Sequence, residues 1–286
     1  MIMRAEIAII GGSGIYDVEM FSAREELKID TPFGVAEVVV GEYAGRKIAF
    51  ISRHGAGHRI SPTEINARAN IFALKKLGVS RIIAASAVGS LKEEIRPLDL
   101  VVPNQIFDRT KSRKNTFFEG GIVVHVGFAD PFCPELSTIL ADVIEQLGRR
   151  VHRGGTYVCI EGPQFSTRAE SEFYRRMGFD IIGMTAIPEA KLAREAEICY
   201  AMVAAVTDYD VWRSGEEEVS AELILENLRK NEQAVKAVLR EAIPRIPTER
   251  KCECGEALKD AIVTAREHIP PDVLERLKPL VEKYLK

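Results

Sequence analysis

The sequence lacks the features that mark several large classes of protein. No apolar run in its 286 residues is long enough to cross a membrane, and a net charge of −3 supplies no general attraction for nucleic acid. Five cysteines, an odd number in a chain of this length, do not make the disulfide framework of a secreted protein. The first residues show no export signal. We therefore expect a cytoplasmic protein with no nucleic-acid or membrane partner.

Asparagine and glutamine are also scarce, whereas glutamate, lysine and arginine are abundant. This bias is typical of proteins that work at high temperature and indicates a thermophilic source. Hydrophobic residues make up 46% of the chain and charged residues 28%, which is the profile of a globular protein with a substantial core. The length allows one large α/β domain or two small ones, and we favour one.

Short apolar runs alternate with amphipathic stretches along the chain. Strands are predicted at 5–10, 37–41, 47–52, 81–85, 98–103, 157–160, 180–183 and 198–206. Helices are predicted at 61–78, 134–147, 167–177, 188–195, 220–242 and 271–286, the first of them opened by a capping box at Ser61 to Glu64. This alternation indicates an α/β fold with a mixed central β-sheet flanked by helices on both faces.

Four sets of hydrogen-bond donors follow predicted strands. They are a glycine-rich loop with Ser13, the basic segment 53–58 with Arg53 and His54, a small-residue turn at 86–90, and Met184 with Thr185. Glycines expose backbone N–H groups, and the arginine fork can donate two parallel bonds to phosphate. Each set alone is equally compatible with a plain turn or a basic surface loop. Together they predict one anion site at the carboxyl edge of the sheet.

Asp208 and Asp210 end the last predicted strand, which is otherwise almost entirely apolar. Two close carboxylates at the mouth of an apolar site raise one another's pKa, so that one can keep a proton and donate it. A solvated loop or a metal site would also explain the pair. No cluster of further carboxylates or histidines at ligand spacing supports a metal at this position.

Cys252 and Cys254 are separated by one residue near the carboxyl end. Zinc ribbons use wider spacing and two such pairs, so zinc is disfavoured here. A local disulfide or a redox pair is plausible in a hyperthermophile, a Cys133–Cys199 bridge is conceivable, and plain thiols remain an alternative; the state of Cys159 is equally open.

Several motifs, read in order, resemble the 5'-methylthioadenosine phosphorylase family of purine nucleoside phosphorylases. They are Gly11-Gly-Ser-Gly-Ile15, Arg53-His-Gly55, Asn66-Ala-Arg-Ala-Asn70, Gly89-Ser-Leu91, Pro131-Phe-Cys-Pro134, Ile160-Glu-Gly-Pro-Gln-Phe-Ser166, Arg168-Ala-Glu170 and Ala205-Val-Thr-Asp-Tyr-Asp210. The resemblance implies a single-domain phosphorylase fold over residues 1–245. Residues 246–286 would be a helical extension packed on the same domain or on a neighbouring subunit. It also implies a homotrimer or a dimer of trimers, with the active site near a subunit boundary.

The resemblance also implies roles for individual residues. The phosphate site would comprise Ser13, Arg53, His54, Ser86, the backbone of Ala87, and Thr185. The substrate would be bound by Met184 at the ribose, Phe165 and Ser166 beside the base, Asp208 and Asp210 at the adenine edge, Ala221 and Ile224 around the 5' substituent, and His125 lent by a neighbouring subunit.

The expected reaction is phosphorolysis of S-methyl-5'-thioadenosine to adenine and 5-methylthioribose 1-phosphate, a step of purine and methionine salvage. Asp208 would deliver a proton to purine N7 and Asp210 would orient the exocyclic amine, with inorganic phosphate as co-substrate and no metal or organic cofactor. One alternative is a broader purine nucleoside or methylthioinosine phosphorylase of the same fold. Another is a nucleotide-binding protein without turnover.

Overall fold

The computed structural model describes residues 4–12, 20–213 and 221–285, and it leaves the side chains of residues 221–225 undescribed. The strands are β1 (Ile7–Gly11), β2 (Ser22–Thr31), β3 (Gly34–Tyr43), β4 (Arg46–Ser52), β5 (Arg81–Ser90), β6 (Leu100–Val102), β7 (Gln105–Arg109), β8 (Val151–Arg153), β9 (Thr156–Ile160), β10 (Ile181–Gly183) and β11 (Cys199–Asp208). The α-helices are α1 (Ala67–Leu77), α2 (Pro134–Gln146), α3 (Arg168–Arg176), α4 (Ala186–Glu195), α5 (Ala221–Ala242) and α6 (Pro271–Val281). None of the helices in these ranges combines the length and the apolar character that a membrane crossing requires.

The strands form one mixed sheet. Along its main path the order is β2-β3-β4-β1-β5-β10-β9-β7, while β11 pairs with β5 and β6, and β6 pairs with β8. β1, β4, β5 and β11 run parallel, whereas β2, β3 and β4 form an antiparallel meander. The predicted α/β class with a mixed sheet is confirmed.

Alternation along the central strands sends side chains to a core on each face of the sheet. In β1, Ala8 and Ile10 join the core that also contains α1 and α4, whereas Ile7 and Ile9 join the core that contains α2 and α5. β5 and β11 divide their side chains in the same way. Because both faces are covered, these strands are apolar throughout, which is why the sequence showed them as continuous runs.

The first helix begins later than predicted. Asn66, not Ser61, is the N-cap of α1, and its side chain accepts a hydrogen bond from the Ala69 N–H at 3.1 Å. The Ser61 N–H and hydroxyl both donate to the Glu64 carboxylate, but the Glu64 N–H donates to the Ser61 carbonyl, so the predicted capping box is incomplete and these bonds close an isolated turn. The capping box at Thr167 and Glu170 does open a helix, α3.

Two further differences arise from strand pairing. Residues 86–90 continue β5 and do not form a turn, because β11 supplies backbone partners as far as Gly89. The strands β2, β7 and β8 were not predicted. β2 is mostly exposed and highly charged, so it carries no apolar alternation, and it forms because β3 pairs along most of its length.

The segment after Pro247 packs against the rest of the chain. Leu258, Val273 and Leu277 join the core on the α1 and α4 face, and Cys254 joins the other core. Arg81 at the start of β5 donates hydrogen bonds to the carbonyl oxygens of residues 248 and 249. The division of the chain at residue 245 stays a prediction. The disulfides considered from the sequence are not formed, because all five cysteines are free thiols.

Replacing Glu195 by glutamine is expected to stabilise the protein at pH 8 and to change little at pH 4.5. Burial raises the pKa of the Glu195 carboxyl from 4.5 to about 7, against the opposing hydrogen bond from the Phe117 N–H. A raised folded-state pKa means that the stabilisation by the protonated form is complete below the unfolded pKa and is lost as pH rises through the folded one. Urea unfolding should show a gain on the order of 2 kcal/mol at pH 8.

The matched control is Glu94→Gln, which changes an exposed carboxylate. Its effect on the free energy of unfolding should be small and should not depend on pH. A gain from Glu195→Gln that is equal at both pH values would contradict the assignment of the raised pKa.

Candidate active site

The parallel strands β1, β4, β5 and β11 bring their carboxyl ends to one edge of the sheet, where a cavity of about 290 Å³ opens. Ten of the residues predicted for the site line it: Arg53, His54, Ser86, Ala87, Phe165, Ser166, Met184, Thr185, Asp208 and Asp210. Separate segments of the chain therefore converge on one cavity.

Arg53 lies at the closed end of the cavity and is 2% exposed. Its Nε and Nη2 donate to the two carboxylate oxygens of Glu189 at 2.5 and 3.0 Å, and its Nη1 donates to the Ala85 carbonyl at 3.0 Å. Burial alone would lower the pKa of Arg53, but the Glu189 carboxylate raises it well above its usual range. Arg53 therefore stays charged, with a fork that is already occupied by Glu189.

Gly12 makes this arrangement sterically feasible. A Cβ at residue 12 would come within 2.6 Å of the Ala85 carbonyl oxygen and 2.9 Å of Nη1 of Arg53. Gly12 thus allows close approach of the backbone to the buried guanidinium. Ser13 lies outside the described residues.

His54 follows Arg53 and is also buried. Its Nδ1 is 2.8 Å from the Ile60 carbonyl oxygen, so the neutral ring carries its hydrogen on Nδ1 and leaves Nε2 as an acceptor. Burial is the main reason that the pKa of His54 falls to about 4, and the charges of Arg53 and His58 lower it further. In the ligand-free site at neutral pH, His54 is therefore uncharged.

Two hydroxyl groups complete this end of the cavity. The Ser86 and Thr185 oxygens are 3.2 Å apart, and the Thr185 N–H donates to the Tyr157 hydroxyl at 3.3 Å. Thr185 is the N-cap residue of α4, whose second residue is extended so that the regular helix starts at Pro188. The two hydroxyl groups therefore lie ahead of the regular helix and can each donate to a negatively charged ligand.

Asp208 and Asp210 stand at the other end of the cavity. Oδ1 of Asp208 accepts from the Asp210 N–H at 2.8 Å, and Oδ2 accepts from the Thr207 hydroxyl at 2.6 Å. β11 ends at Asp208 and the φ of Asp210 is 52°, so a tight turn brings the two carboxyls together. Asn227 and Asn231 of α5 hold the strand end by donating to the Thr207 and Val206 carbonyls.

Burial is the main cause of the raised pKa of both carboxyls. The pKa of Asp210 rises from 3.8 to about 6, and the charge of Asp208 adds to the effect. The pKa of Asp208 rises against the hydrogen bonds from Thr207 and Asp210. Mutual repulsion of the two carboxylates, the cause inferred from the sequence, is therefore a secondary cause of the raised pKa values. Within the described residues, Oδ2 of Asp210 is buried with no hydrogen-bond partner.

Apolar side chains form the walls between the two ends. They include Ile160, Pro163, Ile182, Met184 and Leu228. Gly89 keeps one wall flat, because a Cβ there would come within 3.0 Å of Oδ1 of Asp208 and 3.1 Å of Ile182. Phe165 lies at the rim and is 67% exposed. The cavity thus has an apolar middle suited to a flat ring.

Besides Ser13, three predicted residues are not placed at the cavity. His125 is exposed, is absent from the cavity lining, and bonds through its backbone to Ala261. The side chains of Ala221 and Ile224 lie outside the described residues, although both residues belong to α5.

Sequence reasoning missed Glu189, Tyr157 and Thr207. Thr207 is adjacent to Asp208, and its hydroxyl next to a candidate acid could have been noticed. Glu189 lies in a helix, where a carboxylate usually faces water, and Tyr157 lies in an apolar strand. Only the tertiary structure shows that both are buried beside Arg53 and Thr185.

Comparison with known proteins agrees with this geometry. The model of the Phosphorylase superfamily matches residues 6–244, so the chain belongs to that superfamily. The chain is 53% identical over 284 residues to S-methyl-5'-thioadenosine phosphorylase of Koribacter versatilis, covering 99% of this chain and 97% of the relative. It is 49% identical to the enzyme of that name from Geobacter sulfurreducens, covering 99% and 100% of the two chains.

Solved structures give the same result. A methylthioadenosine phosphorylase from an Antarctic soil metagenomic library superposes with a TM-score of 0.92 at 49% identity, covering 97% of this chain and 99% of that one. Methylthioadenosine phosphorylase from Schistosoma mansoni in complex with adenine gives a TM-score of 0.84 at 39% identity, covering 90% and 96%. Within the superfamily, the chain falls in the S-methyl-5'-thioadenosine phosphorylase family.

Proposed function

We propose that this protein catalyses phosphorolysis of S-methyl-5'-thioadenosine to adenine and 5-methylthioribose 1-phosphate. The observation that supports it most directly is that the half-buried Asp208 and the buried Asp210 line the same cavity as a set of anion-binding donors. Cleavage of an N-glycosidic bond leaves positive charge on the sugar and negative charge on the departing purine. A proton donor at one end and an anion at the other end stabilise these two charges separately.

Inorganic phosphate would occupy the end lined by Arg53, His54, Ser86 and Thr185. The bonds to Glu189 and Ala85 use three of the five N–H groups of Arg53, which leaves one hydrogen on each terminal nitrogen for phosphate. Since Glu189 neutralises the charge of Arg53, phosphate binding depends on directed hydrogen bonds more than on net charge. Nε2 of His54 would accept the hydrogen of a monoprotonated phosphate, which replaces the donor role expected from the sequence.

Adenine would lie between the apolar walls with its edge on the two aspartates. We propose that Asp208 delivers a proton to N7 while the unpartnered Oδ2 of Asp210 accepts from the exocyclic amine. The Thr207 hydroxyl lies 2.6 Å from Oδ2 of Asp208 and 3.2 Å from the Val88 carbonyl. Because its single hydrogen can turn to either acceptor, both protonation states of Asp208 remain compatible with the structure around it.

The remaining predicted residues would contact the ribose, the base and the 5' substituent. Met184 would line the ribose, Phe165 and Ser166 would flank the base, and Ala221 with Ile224 would surround the 5' substituent.

Phe165 and His125 are both exposed in the single chain. We therefore propose a homo-oligomer, a trimer or a dimer of trimers, in which a neighbour lends His125 to the site. Light scattering during size-exclusion chromatography tests this, and a monomer would contradict it.

The substrate assignment is tested by phosphate-dependent release of base from S-methyl-5'-thioadenosine, adenosine, inosine and methylthioinosine. We expect the highest kcat/KM for S-methyl-5'-thioadenosine and no base release without phosphate. A preference for inosine or methylthioinosine would favour the broader phosphorylase. Binding of substrate and phosphate without turnover would favour a binding protein. The proposed chemistry requires inorganic phosphate as co-substrate and no other cofactor. We also propose that the protein is cytoplasmic and works at high temperature.

Replacing Asp210 by asparagine is expected to shift the preferred base. The carboxylate accepts from a 6-amino group, whereas an amide N–H₂ can donate to the 6-oxo group of hypoxanthine. Asparagine also tolerates the left-handed backbone at φ 52°, so the turn is retained. The ratio of kcat/KM for adenosine to that for inosine should fall by roughly tenfold. An unchanged ratio would remove Asp210 from recognition of the 6-substituent.

A further inference from the structure

Four of the five cysteines converge on one point at the opposite end of β11 from the cavity. The sulfur atoms of Cys133, Cys199, Cys252 and Cys254 all lie within 4.8 Å of one another. Cys133 is the N-cap of α2, Cys199 is the first residue of β11, and the other two belong to the segment after Pro247. The sequence separates these positions by up to 121 residues, so only the fold brings them together.

We propose that these four cysteines bind one Zn²⁺ ion as a structural site that holds the carboxyl-terminal segment to the sheet. In a tetrahedral site with Zn–S bonds of about 2.3 Å, the sulfurs are about 3.8 Å apart. The observed separations, all within 4.8 Å and 3.3 Å for Cys199 and Cys252, bracket that value. Binding would convert four thiols to thiolates and release their protons to solvent.

The local backbone allows Cys252 and Cys254 to bind the same ion although only one residue separates them. Cys252 is extended, with φ −86° and ψ 158°, and the following residues Glu253–Glu256 form a turn of 3-10 helix. Cys254 therefore folds back so that its sulfur meets that of Cys252, although only one residue separates them. The second pair of ligands comes from distant elements, which a search for two adjacent pairs in the sequence could not detect.

The surroundings suit a site with net negative charge. Three of the cysteines are at most 5% exposed, so bulk water does not compete for the ion. Cys133 is the N-cap of the 13-residue helix α2, which directs the positive end of its dipole at the cluster. This dipole partly offsets the two negative charges that four thiolates and one Zn²⁺ leave.

The position within the fold indicates a structural role. Cys199 begins β11 and Asp208 ends it, so the cluster and the purine end of the cavity are about 30 Å apart along one extended strand. Zinc at the cluster would join α2, β11 and the carboxyl-terminal segment. Its removal should therefore lower the melting temperature without changing turnover at moderate temperature.

The direct test is elemental analysis of the full chain, purified without chelator, together with its intact mass and thiol count under denaturing conditions. We expect about one zinc per chain and five free thiols once the metal is removed. Two disulfides and no metal would overturn the proposal. So would a fully reduced chain that takes up no zinc after incubation with zinc chloride, or a chain that carries iron in place of zinc.

Cysteine variants distinguish the loss of the four-cysteine cluster from the loss of a thiol elsewhere. The double variant Cys252→Ser/Cys254→Ser should lose zinc, and Cys159→Ala, which removes the buried thiol outside the cluster, should retain it. If the double variant does not fold, the same comparison is made on the wild type with and without a strong chelator. Chelation should lower the melting temperature of the wild type and of Cys159→Ala. Loss of zinc with no change in melting temperature would overturn the structural role.

Discussion

Replacing Asp208 by asparagine is expected to lower the turnover number for phosphorolysis by roughly 100-fold or more, the usual effect of losing a general acid. The purine leaves as an anion unless N7 receives a proton, and an amide cannot supply one. The structure of the site should survive, because the amide oxygen can still accept from the Asp210 N–H. The loss should therefore appear mainly in kcat, with a smaller change in KM.

The pH profile gives a readout that a structural defect would not reproduce. Burial raises the pKa of Asp208, so in the wild type turnover should fall as pH rises through that value and the acid loses its proton. The Asp208→Asn variant should lose this fall. Asp30→Asn, an exposed change on β2, is the control for expression and folding. Turnover near that of the wild type in Asp208→Asn would remove Asp208 from the role of proton donor.

Features that depend on local pattern were predictable from the sequence. The apolar runs that became β1, β4 and β11 were visible because these strands are buried on both faces, and their carboxyl ends had to share an edge. The residues Arg53, His54 and Asp208 follow or end these strands, so their convergence followed from the predicted sheet. The mixed sheet itself needed no further information than the alternation of strands and helices.

Features that depend on distant partners were not predictable. Ser86 to Ser90 are small residues typical of a turn, yet they form strand because β11 pairs with them. Glu189 gives no sign in the sequence that it is buried, and so the occupied fork of Arg53 was missed. The same limit explains the four cysteines, whose spacing along the chain argues against a metal site while their positions in the fold argue for one.

The Arg53–Glu189 pair leads to the second large expected effect, because it serves both stability and binding. Both side chains are almost fully buried, and Tyr200 donates a further bond to Glu189 at 3.0 Å. Replacing Glu189 by glutamine leaves a buried guanidinium without a counter-charge, which should cost about 3 kcal/mol of unfolding free energy. The exposed pair Glu241 and Arg245 is the matched control, and Glu241→Gln should cost no more than about 0.5 kcal/mol.

The double variant Arg53→Met/Glu189→Gln separates the two roles. Removing both charges should recover much of the stability lost in Glu189→Gln, since no unpaired ion remains buried and the amide oxygen of the substituted side chain can still accept from Tyr200. Activity should not recover, because the hydrogens that Arg53 offers to phosphate are gone; kcat/KM for phosphate should fall by roughly 100-fold. Urea unfolding and initial rates at varied phosphate measure the two effects on one sample. If the double variant is stable and keeps the wild-type kcat/KM for phosphate, Arg53 stabilises the fold and does not bind phosphate. If stability is restored without activity, the guanidinium binds the reacting anion.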